Sequence, residues 1–275
     1  MLATQVTDRS YKGWQASLDL RFCHTPEKTL LHAAHHVGPL TVQRPFYPEG
    51  ETCHLYLLHP PGGVVGGDRL DITVSLDANS HALITMPGAS KFYRSNGPQA
   101  RLNQHFYLDE ASTLEWLPQD TIIFPGANAA LRSVFHLKAS STLLAWELYC
   151  LGRPVIGETF SHGTLESRLE VWVDDEPRLI ERQHLGDGDL TPVAGHPWIG
   201  TLLFYPANEE HLDTVRALLA PLGHFAGATL TDELLSVRFL SHDNLICQRV
   251  MRDIWQSLRP LLTTKTACSP RIWQT

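Results

Sequence analysis

Cysteine is scarce and unpatterned in this chain. The five present, Cys23, Cys53, Cys150, Cys247 and Cys268, are widely separated, and none forms a Cys-x-x-Cys pair. An odd, scattered set excludes a disulfide framework or a zinc knuckle and reads as buried, reduced thiols. Concentrated positive charge is missing as well. The chain has 22 Lys and Arg against 29 Asp and Glu, a formal charge of -7, and no basic run longer than a pair. A nucleic-acid partner, whose phosphates demand a basic face, is therefore not expected. No apolar run approaches the roughly 20 residues of a membrane span, and the first 13 residues lack the apolar core of a signal peptide. These absences imply a cytoplasmic protein with no membrane partner.

Nucleotide and serine-hydrolase motifs are also wanting. The run Pro60-Pro-Gly-Gly-Val-Val-Gly-Gly67-Asp68 follows a strand-like segment, but a P-loop needs Lys and Ser or Thr after its last glycine and a helix behind it. Here Gly67 is followed by Asp68 and a strand, and a carboxylate there would repel phosphate. No Gly-x-Ser-x-Gly elbow occurs, and Ser90 in Pro-Gly-Ala-Ser-Lys has no evident base beside it.

What the chain does have is 43% hydrophobic residues, ample for a large core in 275 residues. Short runs alternating apolar and polar residues recur at 15–22, 70–76, 81–85, 101–108, 131–137, 142–148 and 165–173. This period of two predicts a mainly β body over 13–195. Residues 143–151 and 122–124 are apolar on both faces and belong in its middle. No fixed-length repeat is visible, so a two-layer sandwich and an irregular β-helix both remain open. Beyond residue 196 the pattern changes, within what is still expected to be one domain. Asn208 is placed to cap a helix that Pro221 and Gly223 end, a strand pair follows at 228–231 and 234–240, and a last helix runs from Asp243 to a break at Pro260.

Four acidic residues fall at turns or in apolar strands where a lone charge is costly to bury: Asp68, Glu115, Glu147 and Glu181. Each must be paired, hydrated or metal-linked. For Glu147 and Glu181 the sequence offers Arg153 and Arg182 as salt-bridge partners, and a carboxylate-lined, water-filled passage is the functional alternative. The neighbours Cys23-His24 and Cys53-His54 read as core thiols beside surface imidazoles. His35, His36 and His196 read as ordinary surface or core histidines, and Lys91-Phe-Tyr-Arg94 as a packed edge.

The glycine-rich turn and its flanks, together with 38–48, 86–95, 115–120, Leu151-Gly-Arg153, Gly157-Glu158 and Pro270-Arg-Ile-Trp273, resemble the UreD (UreH) family of urease accessory proteins, in the same order along nearly the whole chain. That resemblance implies a right-handed β-helix-like stack finished by two helices. It implies a non-enzymatic scaffold that binds the urease apoprotein, UreF and the GTPase UreG, holds no tight cofactor and handles Ni(II) transiently. It singles out Asp68, Glu147 and Glu181, with Ser90 and Glu51 as weaker candidates, as metal-route residues. A carbohydrate hydrolase using a pair such as Asp68 and Glu147, and a metal-free adaptor, are the competing readings.

Overall fold

The computed structural model describes residues 13–274. Long strands 69–76, 100–108, 128–137 and 164–173 lie parallel and adjacent in a seven-stranded sheet, which strand 15–24 extends in parallel. Strands 53–58, 81–85, 113–117 and 142–151 run parallel to one another in a second, ten-stranded sheet. The chain alternates between the two sheets, so successive passes stack as coils of a solenoid. Antiparallel strands finish the seven-stranded sheet at both edges, 29–37 and 176–186. On the other sheet, 198–205, 234–241 and 226–231 pair antiparallel beyond 142–151.

One turn chemistry repeats where each coil passes from the first sheet to the second. In Asp77-Ala-Asn-Ser80, Asp109-Glu-Ala-Ser112 and Lys138-Ala-Ser-Ser141, the serine N–H donates to the carbonyl three residues earlier, at 3.1, 3.1 and 2.9 Å. All three serines are fully buried, and each turn hydrogen-bonds to the next through Thr113 N–H to Ser80 O and Thr142 N–H to Ser112 O. Stacking satisfies backbone groups that a lone turn would leave to water.

Alternation sorts the side chains into two cores. Along 142–151, Leu143, Ala145, Tyr149 and Leu151 enter the core between the sheets, whereas Leu144, Trp146, Leu148 and Cys150 enter a second core under the helices. Glu147 shares the inward phase. The strand is apolar on both faces because both faces are covered.

Helix α1 (Glu209–Leu219) starts at Asn208, whose side chain accepts from the His211 N–H at 3.1 Å while His211 Nδ1 accepts the Asn208 N–H at 3.2 Å. Helix α2 (Asn244–Thr263) buries Cys247, Met251, Ile254, Trp255 and Leu258 against the outer side of the second sheet. It does not break at Pro260, contrary to the sequence expectation. The missing proline N–H orphans only the Gln256 carbonyl, and both residues sit on the exposed face of the helix, where an unpaired carbonyl costs little. The helix instead ends at Thr264, in the left-handed region at φ 59°. No helix among the described residues is long and apolar enough to cross a membrane.

Candidate functional site: a polar band through the solenoid

Inward-facing rows of the seven-stranded sheet are apolar except in one place. Ile72, Gln104, Ser133, Leu169 and Glu181 form one row across five strands, and Ser167 and Gln183 end the row beside it. Glu147 and Tyr149 face this band from the other sheet. The Ser133 hydroxyl bonds to one Glu147 oxygen, the Tyr149 hydroxyl donates to the other at 2.7 Å, and Ser133 also lies 2.9 Å from Gln104 Oε1. A serine hydroxyl has a single proton. With Gln104 Oε1 as the acceptor, both Ser133 contacts are satisfied when a protonated Glu147 donates to Ser133; with the Gln104 amide turned over, Nε2 donates to Ser133, which donates to the carboxylate. Desolvation, followed by repulsion from Glu181, pushes the Glu147 carboxyl above its ordinary range, against the pull of the Ser133 and Tyr149 hydroxyls. Among the described residues, no cation lies within ion-pair distance of Glu147. Its expected partner, Arg153, pairs with Glu158 instead, across a tight turn.

Three cavities meet along this band. The first, about 430 Å³, is lined by Glu147, Tyr149, Ser167, Glu181 and Arg238 among others. The second, about 30 Å³, shares Glu147 and Tyr149 with the first and adds Ser133, Gln104 and Ser90. The third, about 210 Å³, shares Ser90, Gln104, Met86 and Leu102 with the second and reaches His59, Gly62 and Gly63 of the glycine-rich turn. A water-sized sphere needs roughly 10–15 Å³, so the middle cavity, the waist of the three, has room for little more than one small species at a time.

The structure distributes the five expected residues unequally. Glu147 and Glu181 line one cavity, and Ser90 lines the next two. Glu181 is paired with Arg238, whose Nε is 3.0 Å away, rather than with Arg182. Asp68 lines none of the three cavities. Its carboxylate accepts the Trp14 N–H at 2.8 Å and the Val65 N–H at 2.9 Å, tying the glycine turn to the first strand. Asp68 and Glu147 therefore do not form the facing pair that a glycosidase reading requires. Glu51 is exposed and pairs with Lys265 at 3.0 Å, outside the band. Gln104, Ser133 and Tyr149 escaped the sequence reading. Gln104 and Ser133 carried a signal, since each is polar at the inward phase of an alternating strand.

The fourth buried acid, Glu115, has a different setting. It is completely buried and faces α2, where it accepts from Trp255 Nε1 at 2.7 Å, from Arg259 Nε at 3.0 Å and contacts His81 Nε2 at 2.8 Å. Arg259, also fully buried, spans to Glu49, at 2.7 and 2.9 Å. Burial acts against ionisation, but His81 and Arg259 outweigh it and hold the Glu115 carboxyl down at about 2. His54 bonds Glu49 from a fully buried position, which corrects its assignment as a surface imidazole. Among the described residues, no group of three or more His, Cys, Asp and Glu is arranged to hold a metal ion.

Comparison with known proteins agrees with this architecture. The family model described as UreD urease accessory protein matches residues 15–274. The urease accessory protein UreD of Enterobacter sp. (strain 638) is 78% identical over 263 residues, covering 96% of each chain. That of Klebsiella aerogenes is 69% identical over 264 residues, 96% of this chain and 98% of the relative, and that of Pseudomonas putida (strain GB-1) is 54% identical over 263 residues, 96% and 95%. The chain belongs to the UreD family of urease accessory proteins.

Proposed function

We propose that this urease accessory protein is a non-catalytic cytoplasmic scaffold that binds the urease apoprotein together with UreF and UreG, and that nickel on its way to the urease active site crosses its interior along the polar band. GTP hydrolysis falls to the partner, in keeping with the absence of a P-loop from this sequence. The observation that carries the nickel route is the run of three cavities sharing Glu147 at one junction and Ser90 at the other.

The chemistry suits passage better than storage. Ni(II) accepts oxygen ligands but is held more firmly by imidazole and thiolate. The waist presents a carboxyl, a phenol, an amide and hydroxyls, enough to replace part of a hydration shell without closing a coordination sphere. Burial favours the protonated form of Glu147, so a dication binding there would compete with a proton. Glu181 shares its charge with Arg238, which keeps the wider cavity from becoming a deep electrostatic trap.

The test is activation of urease apoprotein in lysate with its partners present, comparing wild type with Glu147→Ala, while pull-down reports complex formation. Lost activation with an intact complex supports the route. Full activation by the variant removes Glu147 from it and leaves a metal-free adaptor.

A further inference from the structure

The outer face of the seven-stranded sheet has a charge pattern that the interior route does not use. On this face Arg132 lies directly opposite Arg168, and Arg168 directly opposite Arg182, on three neighbouring strands. Arg101 and His184 flank them in the adjoining row. Like charges directly opposed across strands are destabilising, and an outward position accepts almost any polar residue, so folding gives no reason for Arg182 to extend the row.

Only part of this charge is neutralised locally. Glu170, 2% exposed, sits beneath Arg132 and Arg168 and binds both, at 2.9 and 2.6 Å, which braces their guanidiniums. Among the described residues, Arg101 and Arg182 make no ion pair. A groove of about 490 Å³ runs over them, and its lining holds Arg101, Arg132, Arg168 and Arg182 against one carboxylate, Glu166. That surplus is concentrated on a chain whose formal charge is -7.

We propose that this groove docks an acidic α-helix of a protein partner, lying across the strands. Neighbouring strands are about 4.8 Å apart, so the arginine backbone positions follow one another across the sheet at that interval, with Arg132 and Arg168 drawn together on Glu170. Carboxylates three or four residues apart on one helix face recur every 5–6 Å, which matches that interval closely. A compact phosphate calls for free converging donors or for backbone amides at a glycine loop or helix N-terminus, whereas the two arginines that converge here already converge on Glu170.

The experiment measures binding of a fluorescent helical peptide with glutamates on one face to the full chain at low salt, against a peptide of the same composition with its glutamates spread around the helix. The double variant Arg101→Gln/Arg182→Gln is the comparison protein, since neither residue has an ion pair to lose on removal. The expected result is binding of the one-faced peptide that weakens about tenfold in the variant and falls steeply with salt, while the scrambled peptide binds more weakly. No binding by the wild type, equal binding by the variant, or equal binding of the two peptides overturns the proposal. Displacement of the peptide by inorganic phosphate at matched ionic strength also overturns it, as it marks a simple anion site.

Discussion

Removing Arg259 should detach the last helix from the solenoid. The guanidinium reaches Glu115 through Nε and Nη2, Glu49 through Nη1 and Nη2, and the Thr266 carbonyl. Arg259→Met keeps most of the stem volume but leaves two carboxylates in protein, one of them with no exposed surface. Breaking a buried pair by deleting one partner costs about 3–5 kcal/mol. The Glu115 carboxyl sets a related scale, shared between His81, the larger cause of its lowering, and Arg259. Held at about 2 rather than 4.5, the Glu115 carboxyl contributes roughly 3 kcal/mol at neutral pH. Because its folded value is the lower one, this contribution is complete above pH 4.5 and disappears as pH falls toward 2. Against a typical total of about 5–15 kcal/mol, such a loss is severe. The assay is urea unfolding at pH 7 followed by tryptophan fluorescence, since Trp255 donates to the same carboxylate. Adding Glu49→Gln and Glu115→Gln to Arg259→Met removes the stranded charges, and the triple variant should recover at least half of the loss. A cost under about 1 kcal/mol for Arg259→Met, or a triple variant no better than the single one, would refute the reasoning.

Asp68→Ala should lower stability by about 2–4 kcal/mol in the same assay, because it strands the Trp14 and Val65 N–H groups together; an unchanged unfolding midpoint would show that water replaces the carboxylate without penalty. Gly63→Ala should cost about 1–3 kcal/mol, since a Cβ there meets the Lys91 carbonyl oxygen at 2.7 Å and the Tyr93 ring at 2.4 Å, and a midpoint equal to wild type would mean that the turn yields freely. Glu147 binds its proton more tightly in the folded state, so its own contribution to stability should fade as pH rises from 4.5 through its elevated value. Glu147→Gln should abolish that slope, and parallel pH profiles for the two proteins would contradict the assigned protonation.

Much of the architecture was legible because alternation survives wherever a strand is long. The run read at 81–85 matches the observed strand residue for residue, and that at 70–76 is short of the observed one by a single residue. Strand 121–123 was read one residue late, as 122–124, and 90–92 only as part of a packed edge at 91–94, since three residues cannot display a period of two. The solenoid repeat was hidden for another reason. Its coils differ in length, so that Arg101 aligns with Arg69 but Ala129 with Ala100, and only the buried serine closing each turn recurs. Pro260 misled because the rule against internal prolines assumes that the freed carbonyl is buried, and here it faces water.

The site itself was half legible, for a reason that Glu115 and Glu147 make concrete. Both are single acids inside short, almost wholly apolar strands, and in sequence their signals are alike. Strand phase separates them: Glu115 points toward α2 and Glu147 into the space between the sheets. Glu115 acquires a guanidinium from 144 residues away, which converts an expensive charge into a clasp. Glu147 acquires two hydroxyls and a cavity, and burial shifts it toward its neutral form. No local pattern could announce Arg259 as the partner of Glu115, because the pairing exists only once the helix has folded back over the sheet. An acid that no such cation reaches stays responsive to whatever enters the cavity beside it, and that is the property a transient metal route needs.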